Sequence, residues 1–267
     1  TTDTLVILFS MLSVLAYVAA LRSEHFRGRA LAWHAFAGAL LGLAFLGKYF
    51  AALLGIAYLV HVLFVRRDAG RIPGFLLLLA ASLPAPFYNL WWNSSHCWVN
   101  ILFNFINRNS EAGLSLSNPS LFLVSLAYLA TPWVLFELWR HRVALMGAVR
   151  GNASASAVFW LMAVPLAVFA LMSMWRTIGL HWLVAFIPLL AVLAAISLPD
   201  AVLTRMVGWS AIFALAHMLV FVVIVSLPMH TWKETRYGEG VALRILTPQV
   251  LEQLAPYQAE HVLTMES

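Results

Sequence analysis

Charge is scarce in this sequence. Lysine, arginine, aspartate and glutamate make up only 10% of its 267 residues, where a soluble domain carries roughly 25%. With 63% hydrophobic residues, the chain cannot cover its own surface with polar groups in water, and a soluble globular fold is excluded. Cysteine is scarcer still. Cys97 is the only one, so no disulfide can form within the chain and the redox compartment is not readable. Nothing has the spacing of a metal site, a phosphate-binding glycine loop or a nucleophile elbow, so neither a metal nor a cofactor is expected. Internal repeats and low-complexity tracts are absent too.

Long apolar runs fill the space. Runs of about 17 to 21 residues, enough for a hydrocarbon core of roughly 30 Å, recur between short polar breaks. They lie near Leu5–Leu21, Leu31–Gly47, Tyr49–Val65, Pro73–Trp91, Leu121–Trp139, Val158–Met174, Leu180–Leu198 and Val207–Leu227. The fold class expected is an all-α membrane protein of about eight transmembrane helices. Leu31–Val65 read as one helix would be about 52 Å long, too long for a single span. The break belongs at Gly47-Lys48, where a helix-weakening glycine meets the only charge in the run. Trp and Tyr, 11 and 7 in number, suit a protein with two membrane interfaces.

The basic residues test this layout. The net charge of +5 would point to nucleic acid in a soluble chain. Here the arginines sit in short loops as orientation signals, and no nucleic-acid partner is expected. Eight spans put Arg22, Arg27, Arg29, Arg66, Arg67, Arg71, Arg140, Arg142, Arg150 and Arg205 on one side. Lys48, Arg108, Arg176, Lys233, Arg236 and Arg244 fall on the other. Merging the second and third runs would scatter the arginines across both sides, so the positive-inside rule favours the split. Residues 1–228 therefore read as a transmembrane domain. From Met229 the chain turns polar, with Pro228, Pro248 and Pro256 as breakers, and 229–267 reads as the start of an outer soluble domain. The sequence opens at Thr1-Thr2-Asp3-Thr4, directly before an apolar run, and stops at Glu266-Ser267 in mid-pattern. Both ends are expected to be cuts in a longer chain.

Functional signal gathers on the outer side. Lys48 lies at a break at membrane depth, where an ionisable group needs a partner or a water-filled cavity. The other reading, a lysine snorkelling to the interface, stays open. Arg176 and His181 flank the turn from Trp175 to Trp182, and Asp3, Asn93, His96, Trp98 and Arg108 share the face. Cations beneath an aromatic-rich loop suit a lipid-linked phosphate, with aromatic faces against a sugar ring. An interfacial belt of tryptophans and anchoring arginines would explain part of the same set. His34, His61 and His217, within apolar stretches, read as hydrogen-bonded helix histidines. Gly38 and Gly42 read as a close-packing pair.

Several segments also resemble a known family. Thr2-Asp3-Thr4 entering a helix is similar to an outer-side T/P-D-T motif. Leu41-Gly42-Leu43-Ala44-Phe45-Leu46-Gly47-Lys48-Tyr49 resembles a G-L-A-x-L-[ST]-K-Y segment. Trp92-Asn93-Ser94-Ser95-His96-Cys97-Trp98-Val99 resembles a W-N-x-x-H-G-W-V loop, and Gly179-Leu180-His181-Trp182 an H-W segment before a helix. Glu260–Ser267 looks like the first strand of an outer domain. Together they resemble, in order along nearly the whole chain, the dolichyl-phosphate-mannose protein mannosyltransferase-like bacterial membrane glycosyltransferases of the GT-C fold. The lipid A aminoarabinose transferase is in the same group. Two positions depart from the pattern: Cys97 stands for Gly, and Gly47 for Ser or Thr.

The resemblance implies a multi-pass enzyme of the bacterial inner membrane. Such an enzyme moves a sugar from a polyprenyl-phosphate carrier to a lipid, glycan or protein acceptor on the outer face. It is inverting, and its acidic general base would lie upstream of Thr1. Lys48 and Arg176 would hold the carrier phosphate. Asp3, Asn93, His96, Trp98 and His181 would shape the sugar and acceptor cavity. Partners are then the carrier-linked sugar and membrane lipids. A non-catalytic membrane subunit that keeps this fold inside a larger complex is the alternative. A transporter is disfavoured, because the spans lack paired acidic residues at mid-depth.

Overall fold

A computed structural model describes residues 2–23, 27–106, 113–232, 235, 238, 240 and 247–257. Among the described residues the chain is helical, without strands. Six helices are long and apolar enough to cross a membrane: Asp3–Arg22, Arg27–Gly47, Arg71–Ser94, Ala153–Met172, Leu180–Ser197 and Asp200–Ser226. A bent pair raises the number to seven. Tyr49–Val65 is apolar but shorter. Each of the eight expected runs thus has a helical counterpart, and two of them are not plain spans.

The first exception is where the sequence placed its break. Helix α1 (Thr2–Arg22) is followed by α2 (Arg27–Gly47), which stops at Gly47. Lys48 is extended (φ −158°, ψ 139°), and a 3-10 turn over Tyr49–Ala51 leads into α3 (Ala52–Val60). A π-helical turn over His61–Val65 finishes the run and delivers Arg66. Lys48 and Arg66 therefore stand at opposite ends of one apolar segment, as the arginine pattern requires.

The second exception is a correction. Leu121–Trp139 is not one straight span: α7 (Ser117–Ala130) and α8 (Pro132–Arg140) meet at an angle of 85°. Pro132 disfavours helical geometry at the residue before it, and Thr131 takes φ 58°, ψ 131°. A positive φ at a β-branched residue is an outlier that only a forced turn produces. Next, α9 (Arg142–Gly151) leads to α10 (Ala153–Met172), whose first turn is capped by Asn152 accepting from the Ser154 and Ala155 amides. Leu180–Ser197 comprises α11 (Leu180–Leu183) and α12 (Pro188–Ser197), and α13 (Asp200–Ser226) follows.

Packing centres on α1, α2, α3, α10 and the segment around Leu183–Leu193. Gly38 and Gly42 do what close packing asks of them. A Cβ at Gly38 would overlap the Leu78 carbonyl, and one at Gly42 would press on Ser82 and Ala85. Removing the side chain lets α2 touch α4 (Arg71–Ser82) backbone to backbone. Polar links tie the same helices. Ser13 Oγ donates to the Ala37 carbonyl at 2.8 Å and bonds Tyr58 Oη at 2.8 Å, while Tyr17 Oη meets His61 Nδ1 at 2.9 Å. His34 and His217 bond the carbonyls of Ala30 and Phe213, each at 2.7 Å. The three histidines are thus hydrogen-bonded within or between helices.

At the arginine-rich end, Arg66 is buried and holds Asp68 through two contacts of 2.6 Å. Burial alone would raise the Asp68 carboxyl. Its hydrogen bonds to Arg66 and the guanidinium charge outweigh that and hold it below the usual carboxylate range. On the same end, Arg22 reaches Ser154 at 3.3 Å.

The chain divides into two compact units, residues 1–210 and 211–267. Within the second, the later turns of α13 expose Ile212, Leu215, Phe221 and Val223, an apolar surface suited to lipid. After Pro228 come a 3-10 turn over Met229–Thr231, α14 (Thr247–Leu254) and a 3-10 turn over Ala255–Tyr257. The expected strand at Glu260–Ser267 lies outside the described residues.

Candidate active site

At the end of the bundle opposite Arg66, a cavity of about 360 Å³ is lined by Lys48, Arg176 and His181. Three chain breaks bring them there. Lys48 follows the end of α2, Arg176 follows the end of α10, and His181 starts the next span. Gly179 makes room for the last: a Cβ there would strike the His181 ring at 2.8 Å. The structure thus joins these three sequence-predicted residues in one place.

Asp3 joins them indirectly. Its Oδ1 is 2.6 Å from Lys48 Nζ, the two side chains being 33% and 23% exposed. An ion pair this open is modest in energy, but it fixes where the ammonium group sits. Behind the cations lies an aromatic floor. Arg176 stacks over Trp182 at 5.0 Å. Trp182 in turn packs on Phe169 at 5.8 Å and Phe50 at 6.1 Å, measured between centroids. Arginine on an indole face is a favourable cation–π arrangement.

Amides complete the lining. Asn89, Asn100 and Asn104 line the cavity. Tyr49 Oη donates to Asn89 Oδ1 at 3.0 Å, and Asn93 Nδ2 donates to the same oxygen at 3.1 Å and to the Asn89 carbonyl at 2.8 Å. Asn93 is fully buried and does not itself line the cavity; it positions Asn89. Asn104 donates to Asn100 Oδ1 at 2.8 Å. Both pairs have i, i+4 spacing, which puts them on one helix face. That spacing is the signal the sequence offered and that went unread. Tyr49 and Trp182 lay inside the motifs quoted above without a role.

His96 and Trp98 are not brought into the cavity lining. His96 lies parallel on Trp92 at 4.0 Å and bonds the Trp92 carbonyl at 2.7 Å, so it is turned back on its own helix. Trp98 is 42% exposed. Arg108 lies outside the described residues. The loop carrying them has left-handed backbone at Cys97 (φ 53°) and Trp98 (φ 58°). This is the conformation for which glycine is built, and Cys97 stands where the resembled motif has Gly. Left-handed geometry costs a side-chain-bearing residue ~1–2 kcal/mol, and glycine returns roughly 0.5–1 of that in chain entropy. Cys97→Gly is therefore expected to stabilise the protein by up to about 1 kcal/mol, read as a higher midpoint in thermal unfolding in detergent.

Among the described residues no group of three or more His, Cys, Asp or Glu could hold a metal ion. The donor set is cationic and amide-rich instead. It suits an anion carrying hydroxyl groups: guanidinium and ammonium groups take phosphate oxygens by charge-assisted bonds, amides pair with hydroxyls, and rings cover an apolar face.

A multi-pass helical membrane protein with a cavity of this chemistry is the class that fold and site define. Residues 1–92 match the family model described as dolichyl-phosphate-mannose-protein mannosyltransferase. The resemblance seen in the motifs is borne out over that stretch, which contains Asp3, Lys48 and Asn89, and it supports a mannosyltransferase-like glycosyltransferase of GT-C type. No curated protein and no solved structure matches.

Proposed function

We propose that the chain carries the donor-binding part of a membrane glycosyltransferase that takes a sugar from a polyprenyl-phosphate carrier. The observation that carries this is the convergence of Lys48, Arg176 and His181 on one cavity walled by amides and rings. Lys48 and Arg176 bind the carrier phosphate. His181, Asn89 and the Asn100–Asn104 pair meet sugar hydroxyls, and Asp3 sets the position of Lys48. Asn93 acts through Asn89. The arginine-rich end turns to the cytoplasm by the positive-inside rule. The cavity then opens on the outer face.

Transfer is inverting, with an acidic residue as general base on the acceptor hydroxyl. Leaving-group charge on the carrier phosphate is met by Lys48 and Arg176, an electrostatic contribution that counts most in a dry site. The test is sugar transfer from a polyprenyl-phosphate donor by the full-length protein. Arg176→Ala is expected to lower kcat/KM by about 100-fold or more, the scale of losing one charge-stabilising group. A folded full-length protein that binds carrier but transfers no sugar would instead be the non-catalytic subunit of a larger complex.

A further inference from the structure

The other end of the bundle holds a larger and chemically different cavity, of about 640 Å³. Its lining combines the basic Arg66, Arg67 and Arg150 with the apolar Met146, Phe159 and Trp160. We propose that this cavity binds the phosphate head group of an anionic membrane lipid, with the first carbons of its chains against the apolar side chains.

Charge comes first. Three guanidinium groups face one carboxylate, that of Asp68, which Arg66 already holds. Arg67 and Arg150 make no ion pair among the described residues, so two positive charges are left for a ligand. The amides of α10 do not supply the recognition, since Asn152 already caps them. Depth comes second. Leu21 and Val65 close two apolar runs and Ala153 opens a third, and all three line the cavity. It therefore lies where apolar helix gives way to loop, at the level of lipid head groups.

Helices α8 and α9 point the same way. They follow the 85° turn and expose Trp133, Trp139 and Val143 beside Arg140 and Arg142. That pattern belongs to helices lying in the interface plane, and α9 contributes Met146 and Arg150 to the cavity. A soluble phosphate would use the arginines and leave Met146, Phe159 and Trp160 facing water. A phospholipid covers both kinds of side chain. Nothing in this proposal depends on sugar transfer.

Native mass spectrometry of the full-length protein in detergent, with phosphatidylglycerol or phosphatidylcholine added, tests it. Wild type is expected to retain one phosphatidylglycerol per chain in preference to phosphatidylcholine. Arg67→Gln with Arg150→Gln should lower that retention by about 20-fold or more, roughly fivefold for each arginine. Arg142→Gln, at the same end but outside the cavity lining, should change it by less than about twofold. If the double Gln variant fails to fold, Arg67→Lys with Arg150→Lys, which keeps the charge, should retain the lipid as wild type does. Equal retention of the two lipids by wild type overturns the proposal. So does an equal loss in Arg142→Gln, which would mean a diffuse basic surface. Displacement of phosphatidylglycerol by millimolar inorganic phosphate would show a soluble-anion site instead.

Discussion

Lys48→Ala in the full-length protein should weaken polyprenyl-phosphate binding by roughly 10- to 100-fold, while Lys48→Arg stays within a few-fold of wild type. The magnitude follows from one hydrogen bond to a charged group, about 1.5–3 kcal/mol, at 1.4 kcal/mol per tenfold in affinity. Arginine keeps the charge and can reach the same phosphate, although its fork is not the same shape as an ammonium. Quenching of tryptophan fluorescence on titration with a short-chain polyprenyl phosphate would measure it, Trp182 being in the cavity wall. The Asp3 contact sharpens the outcome. A lysine that only anchored the helix end would lose its ion pair in Lys48→Ala and leave carrier affinity unchanged.

Trp182→Ala should cost the most stability of any cavity substitution, about 3–5 kcal/mol, as for other large-to-small changes of buried aromatics. Trp182 is 9% exposed, packs against Phe50 and Phe169 and lies under the Arg176 guanidinium. Its removal would leave a void and release the guanidinium group together. Trp182→Phe restores much of the ring packing but not the wider indole face under Arg176. The expected order of thermal midpoints is wild type, then Trp182→Phe, then Trp182→Ala. Carrier affinity should fall in the same order. Unchanged affinity in a folded Trp182→Phe protein would make the ring a core residue with no part in holding Arg176.

Part of this layout is legible in the residues themselves, for a physical reason. A break inside a 35-residue apolar run is forced by the thickness of a bilayer, and Gly47-Lys48 is where helix propensity and charge agree. The arginines then sort themselves by side. Lys48, Arg176 and His181 could be named as a set because cations at membrane depth are costly without a purpose.

Thr131-Pro132 shows what was not legible. The proline was visible, but hydropathy across Leu121–Trp139 reads the same whether the chain runs straight or turns by 85°. Only packing decides between them. The amide wall was missed for a related reason: asparagine carries no charge, so Asn89, Asn100 and Asn104 stand out only once their helices are seen to face Lys48. His96 and Trp98 erred the other way. They sit in a conspicuous motif, yet the left-handed turn at Cys97-Trp98 leaves Trp98 exposed, and His96 stacks back on Trp92.

The most direct measurement is a structure, by electron cryomicroscopy, of the full-length protein with a polyprenyl phosphate bound. The account predicts density for the phosphate between Lys48 and Arg176, with oxygens about 2.7–2.9 Å from their nitrogens, the range of charge-assisted bonds. It also predicts a polyprenyl tail leaving along the lipid-facing helices. A phosphate bound elsewhere, with the Lys48–Arg176–His181 cavity filled by water alone, would contradict it.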